Sequence, residues 1–151
     1  MDERATTLLY QFILVNRGHQ VKITETGGKC INTYRKNLQV VRPKDFNSSL
    51  MCPYDVVILD QVLPDMNGLE ICRKLKSSLG TRHITVIVHS VESRLTVFNA
   101  AFEAGADYYI PKGDSSVKNL TSLVRGILRR NGNLAETAPK RATSAQMMLA
   151  S

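Results

Sequence analysis

The chain has 151 residues, 43% of them apolar, and a formal net charge of +7, which suits one domain with a buried core and a tail. No apolar run is long enough to span a membrane, and the opening MDERATT lacks the basic start and apolar stretch of a secretory signal. The three Cys, at 30, 52 and 72, show no CxxC spacing and pair with none of the His at 19, 83 and 89 at ligand intervals, which argues against zinc and for reduced thiols in a cytoplasmic protein.

In chain order, TTLLYQFILVNRG (6–18) suits a helix through Leu8, Leu9, Phe12 and Ile13, with Gly18 as its stop, although a strand fits too. HQVKITETG (19–27) reads as a short strand. Residues 29–53 are hard to read: GGKCINTYRKNLQVV is an insertion or a further helix, and PKDFNSSLM suggests a helix with Pro43 near its start. Three buried strands follow, DVVILD (55–60), HITVIVHS (83–90) and DYYIP (107–111), the first two so continuously apolar that they fit a parallel sheet covered on both faces. Helical patterns separate them. GLEICRKLKSS sets Leu69, Cys72 and Leu75 on one face, and SRLTVFNAAFEAGA sets Leu95, Phe98, Ala101 and Phe102 at helical spacing before Gly105. SVKNLTSLVRGILRRNG then carries Val117, Leu120, Val124, Ile127 and Leu128 on one stripe and is expected to stop at Asn131-Gly132. The basic residues of RGILRRNG and APKRATS read as a solvated helix end and a basic tail. With no aromatic interleaving and no helix-turn-helix, a direct nucleic-acid surface is not expected. Residues 133–151 are polar and small, weakly helical at SAQMMLA, and read as a flexible tail or linker after a domain of residues 1–132.

The alternation of strand and helix from 55 to 132 predicts a βαβ architecture with right-handed crossovers. Ligands of such sheets bind beyond the carboxyl ends of the strands. That rule selects Asp60, Ser90 and Lys112, which end or follow three successive strands. A carboxylate, a hydroxyl and an ammonium at one edge suit phosphoryl transfer: the carboxylate as nucleophile, the ammonium and hydroxyl on phosphoryl oxygens, and Mg²⁺ bridging carboxylates and phosphoryl group. Each residue alone has a plainer reading. Asp60 could cap a turn, Ser90 could cap the next helix, Lys112 could be a surface charge and Tyr109 a half-buried sheet residue; it is their register together that favours chemistry.

The spacing resembles the receiver domain of two-component response regulators. DQVLPDMNG matches the acceptor Asp followed by Pro and Gly, at Asp60, Pro64 and Gly68, while VHS and GADYYIPKG match at Ser90, Tyr109 and Lys112. The likeness covers about residues 2–130 and implies a flavodoxin-like open parallel sheet with helices on both faces. It implies that Asp60 takes a phosphoryl group from a sensor histidine kinase or a phosphotransfer protein. It further implies that Asp2, Glu3, Asp60 and the backbone carbonyl of Val62 hold Mg²⁺, that Ser90 and Lys112 contact the phosphoryl group, and that Tyr109 switches rotamer. An output partner would dock on the face formed by residues 91–130.

The chain departs from that pattern at its start. Counting back from RGHQV places Asp2 at the second acidic position and Met1 at the first, so the first strand, central in the family order 2-1-3-4-5, is missing. Two unpaired ladder edges would result. A truncated or mis-started reading frame, strand 2 closing on strand 3, or a strand from another chain would each account for it. Val91 stands where the family has a small residue, Gly113 where Pro is common after the Lys, Glu92 is at a variable position, and the stretch from 27 to 53 is longer than usual. These departures keep a pseudo-receiver, a binding module with little or no phosphotransfer, as the alternative. A phosphatase would need a second Asp just after Asp60, where Gln61-Val62 stands, and no output domain follows Gly132.

Overall fold

The computed structural model describes residues 9, 20–41, 49–51, 54–91, 94–113, 116–134 and 146–150. Seven strands and four helices of more than one turn are described: β1 (Gln20–Thr24), α1 (Gly27–Lys36), β2 (Gln39–Val41), β3 (Ser49–Met51), β4 (Val56–Asp60), α2 (Gly68–Ser77), β5 (Thr85–Ser90), α3 (Leu95–Glu103), β6 (Tyr108–Pro111), α4 (Ser116–Leu134) and β7 (Gln146–Ala150). Five strands form one parallel sheet in the order β1-β7-β4-β5-β6, and β2 and β3 form a separate antiparallel pair.

Strand β4 is apolar up to Asp60 and is buried along its whole length. Its alternate side chains serve two cores, as the period-2 geometry of a strand demands. Val57 and Leu59, with Val86 and Val88 of β5, pack under Cys30 and Tyr34 of α1, Leu69, Ile71, Cys72 and Leu75 of α2, and Ala101 of α3. Val56 and Ile58, with Ile87 and Ile110, pack under Leu120, Val124 and Ile127 of α4. The stripe expected on α4 is therefore the one buried. On α3 only Ala101 is buried, while Leu95, Phe98 and Phe102 face outward. Burial also pushes the Cys72 thiol up to about 11, in keeping with an inert core thiol.

Three expectations give way. Helix α4 runs through Asn131-Gly132 to Leu134, because a glycine inside a helix is tolerated at about 1 kcal/mol. Ser49–Met51 is a strand rather than the end of a helix, since it has β2 to pair with, Val40 opposite Leu50; Pro43 lies outside the described residues. The end of the presumed tail, Gln146–Ala150, is a strand of the main sheet. It lies parallel between β1 and β4, with Val21 opposite Met147 on one side and Val57 opposite Met148 on the other. This is the slot that an absent first strand would leave. Neither closure of β1 on β4 nor a second chain fills it: the chain's own later segment does, pairing backbone groups on both sides. The segment 6–18 lies outside the described residues except for Leu9, which is helical.

Candidate phosphoacceptor site

Asp60 closes β4 at the carboxyl edge of the sheet and is only 7% exposed. A carboxylate so buried needs partners. Its Oδ2 accepts from Lys112 Nζ at 2.6 Å, and its Oδ1 accepts from the Val62 backbone N–H at 3.2 Å. Lys112 reaches it because β6 ends one residue earlier, at Pro111, and the Lys112 N–H is tied to the Ser90 carbonyl at 2.7 Å. The strand ladder thus aims the ammonium across β5 at β4.

The loop after Asp60 folds back on the strand end. Val62 forms an antiparallel bridge with Asn67, and the Gly68 N–H donates to the Gln61 carbonyl at 2.7 Å. Asn67 then caps α2, its side-chain oxygen accepting from the Leu69 N–H at 2.9 Å. A side chain at Gly68 would run into the Asp60 carbonyl, so this close approach requires glycine. The motif's Gly therefore has a structural reason, as the sequence suggests, and that reason acts directly on the backbone of Asp60.

Ser90 ends β5, buried, opposite Pro111 of β6 and at the same edge as Asp60. Tyr109 lies on β6, half-buried, with its ring 5.5 Å from that of Phe98 on α3. Phe98 in turn sits 4.8 Å from Phe102. Val62 is 73% exposed, at the mouth of the edge. Of the residues singled out from sequence, Asp60 and Lys112 are in contact, Val62 holds the carboxylate through its N–H, and Ser90 stands on the neighbouring strand. Asp2 and Glu3 lie outside the described residues, as does Glu92.

Sequence reasoning missed three residues here. His89 is buried beside the site, opposite Asp60 in the ladder, with Nδ1 2.8 Å from the Ile110 carbonyl. Its signal was the polar residue inside an apolar strand. Asp65 accepts from the N–H groups of Gly27 and Gly28 at 2.7 and 2.9 Å, so the loop after Asp60 caps the N-terminus of α1. These two bonds hold its carboxyl below the usual range. At the opposite edge of the sheet, Lys76 bridges Asp107 at 2.7 Å and donates to the Ile84 carbonyl at 2.7 Å, while Asp107 accepts from the Val86 N–H at 2.8 Å. Asp107 in GAD thus anchors β5 at its start.

Burial pushes the His89 pKa below its ordinary 6.5, and nearby Lys112 adds to this, against the Ile110 hydrogen bond and Asp60, which raise it. A depressed folded-state pKa means that the unfolded chain takes up the proton first. The contribution is whole above pH 6.5 and is lost as the pH falls below it. Urea midpoints of the parent are expected to fall between about pH 7.5 and 5.5, and those of His89→Gln to fall less, over a range where ordinary carboxylates stay ionised. Parallel curves for the two proteins would remove His89 as the cause.

The donors at this edge are hard oxygens, the Asp60 carboxylate and the Val62 carbonyl. They suit Mg²⁺, which binds through one or two carboxylates and keeps water or phosphate oxygens elsewhere. Among the described residues no group of three His, Cys, Asp or Glu gathers that could hold a metal ion unaided. Among them too, no helix is long and apolar enough to cross a membrane.

The model of the response regulator receiver domain family matches residues 2–125. The chain is 33% identical over 124 residues to a protein of Picosynechococcus described as a probable transcriptional regulatory protein, covering 82% of this chain and 45% of that one. It thus spans less than half the length of the curated relatives it matches. In fold it resembles a response regulator receiver domain protein of Methanospirillum hungatei, at 21% identity and a TM-score of 0.64 over 87% of this chain and 91% of that one. It also resembles the receiver domain of a sensor histidine kinase of Pseudomonas aeruginosa, described with a magnesium ion in its active-site cleft, at 16% identity and a TM-score of 0.62 over 84% and 92%. The open parallel sheet is flavodoxin-like, as expected. With a strand-end carboxylate held by a lysine from two strands away, and with the family model matching most of its length, this chain belongs to the response regulator receiver domain family.

Proposed function

We propose that this chain accepts a phosphoryl group on Asp60 from the phosphohistidine of a sensor histidine kinase or a phosphotransfer protein. The observation that carries the reading is the Lys112–Asp60 contact of 2.6 Å at the carboxyl edge of the sheet. An Asp60 oxygen attacks phosphorus, the P–N bond breaks as the P–O bond forms, and the imidazole leaves with the electron pair. Lys112 holds the carboxylate before transfer and is placed to follow the charge onto a phosphoryl oxygen afterwards. The Ser90 hydroxyl donates a hydrogen bond to a second oxygen. Asp60 and the Val62 carbonyl, together with Asp2 and Glu3, would hold Mg²⁺, which when bound offsets the negative charge shared by carboxylate and phosphoryl group.

Transfer changes what Lys112 and Ser90 touch, and such differential contacts are what shift a population between two states. Tyr109 is the nearest reporter, since it lies on the strand leading to Lys112 and packs on Phe98. The exposed side chains Leu95, Phe98 and Phe102 of α3 give the face of residues 91–130 an apolar stripe for the output partner. A second reading, a pseudo-receiver that binds partners without phosphotransfer, is favoured by Val91. It is 67% exposed directly after Ser90 and adds bulk at the mouth of the site.

Incubation with acetyl phosphate and Mg²⁺ separates the two. Mass spectrometry is expected to find a base-labile phosphoryl group on the parent and none on Asp60→Asn. A parent that melts cooperatively yet stays unlabelled would establish the second reading instead.

A further inference from the structure

Strand β1 has no described neighbour in the main sheet except β7; β1 is joined to β4 only through it. All five residues of β7 are in register with β1, Gln20 opposite Gln146 through Thr24 opposite Ala150. Four are in register with β4, ending at Leu59 opposite Ala150, one residue before Asp60. With β7 in place, β4 is bonded on both sides up to the phosphoacceptor. Without it, β4 keeps only β5, and both β4 and β1 present a bare row of N–H and C=O groups.

The loss would reach the site by a second route. Strand β1 leads into α1, whose first N–H groups at Gly27 and Gly28 are held by Asp65 of the loop that follows Asp60. A released β1 loosens α1, and a loosened α1 frees the loop whose Val62 N–H holds Asp60 Oδ1.

What the slot selects is a backbone. QMMLA has no charge, no Pro and no Gly, and it enters as a parallel strand pairing on both flanks. It is tethered to α4 only by residues 135–145. A segment recognised through ladders on two sides has no need of that tether.

We propose that the gap between β1 and β4 is a strand-binding site, that Gln146–Ala150 is its tethered ligand and positions Asp60, and that a separate peptide of the same sequence can take its place. The positioning role rests on the phosphoacceptor reading above; the strand-binding role does not.

The test uses the full chain with Met148→Pro, which removes a ladder N–H in mid-strand. Its companion is the synthetic peptide of residues 144–151. Amide exchange over Val57–Asp60 is expected to speed up at least about tenfold in the variant, the range expected when protected strand amides become openable. Acetyl phosphate labelling should drop by a similar factor. Peptide added in trans should restore both, with saturation, while the same peptide carrying Met148→Pro restores neither and Met148→Leu in the chain behaves as parent.

Unchanged exchange and labelling in the proline variant would overturn the proposal outright. Faster exchange with normal labelling would overturn the positioning role. Losses that no peptide concentration reverses would overturn binding of a separate strand. If the parent itself takes no label while exchange responds to variant and peptide as expected, the phosphoacceptor reading fails and the strand-binding site stands.

Discussion

Lys112→Met is expected to destabilise the protein by about 2–3 kcal/mol near neutral pH, toward the lower end of what breaking a buried ion pair does. The size follows from which partner is stranded. Asp60 sits on a short stem at a strand end, its side chain 9% exposed, and cannot leave the sheet. Once Lys112 is gone it is a buried carboxylate with the Val62 N–H as its remaining printed donor. The reverse change differs. Lys112 is 17% exposed on a long flexible stem, so in Asp60→Asn its ammonium can swing to water. Asp60→Asn should therefore be the milder single change, and the double variant should be more stable than the two single losses added together. Urea unfolding of the four proteins measures this. A coupling energy below about 0.5 kcal/mol, the level seen for independent sites, would mean that the contact carries no energy of its own.

Gly68→Ala should lower stability by about 2 kcal/mol, against the usual trend for glycine in helices. Alanine gains up to about 1 kcal/mol over glycine in a helix interior, and less in a first turn. Here the added methyl would land on the Asp60 carbonyl oxygen, 3.0 Å from its carbonyl carbon and 3.2 Å from Gln61 Cα, all of it backbone. Overpacking costs of about 1–3 kcal/mol apply where a flexible neighbour can yield, and backbone yields least. Relief would require α2 to lift away, breaking the Gly68 N–H bond to Gln61 and moving the strand end that carries Asp60. Phosphoryl labelling should fall along with the urea midpoint. A stabilised Gly68→Ala would show that the loop does not approach β4 so closely.

The legible parts of the sequence were those where one local pattern sufficed. The apolar runs of β4 and β5 could only be covered strands, and Leu69, Cys72 and Leu75 could only be one helix face. Asp60, Ser90 and Lys112 followed from the rule that such sheets act at their carboxyl ends. What was not legible depended on partners far along the chain. QMMLA is too short for periodicity to separate helix from strand, and only the open ladders of β1 and β4 make it a strand. Likewise SLM becomes a strand because β2 lies beside it. The role of Asp65 rests on α1, on the far side of β2 and β3 in sequence, and no spacing rule links an aspartate to two glycines so distant. The α3 stripe misled in a different way: helical spacing of Leu95, Phe98 and Phe102 marks a face, and nothing in the spacing says whether that face turns inward.

The position of β7 also governs when this molecule can fold during its synthesis. Of the described strands it is the last to leave the ribosome, yet it lies inside the sheet rather than at a rim. Its partners on β1 were made at the other end of the chain. Nascent β4, β5 and β6 can associate early, but β1 must wait for its neighbour until nearly everything else has been translated. Contacts so remote in sequence slow the final step, and the open edges meanwhile invite association with other nascent chains. Helper proteins that shield exposed strand edges should therefore matter more to the yield of this receiver than to that of one whose central strand emerges first.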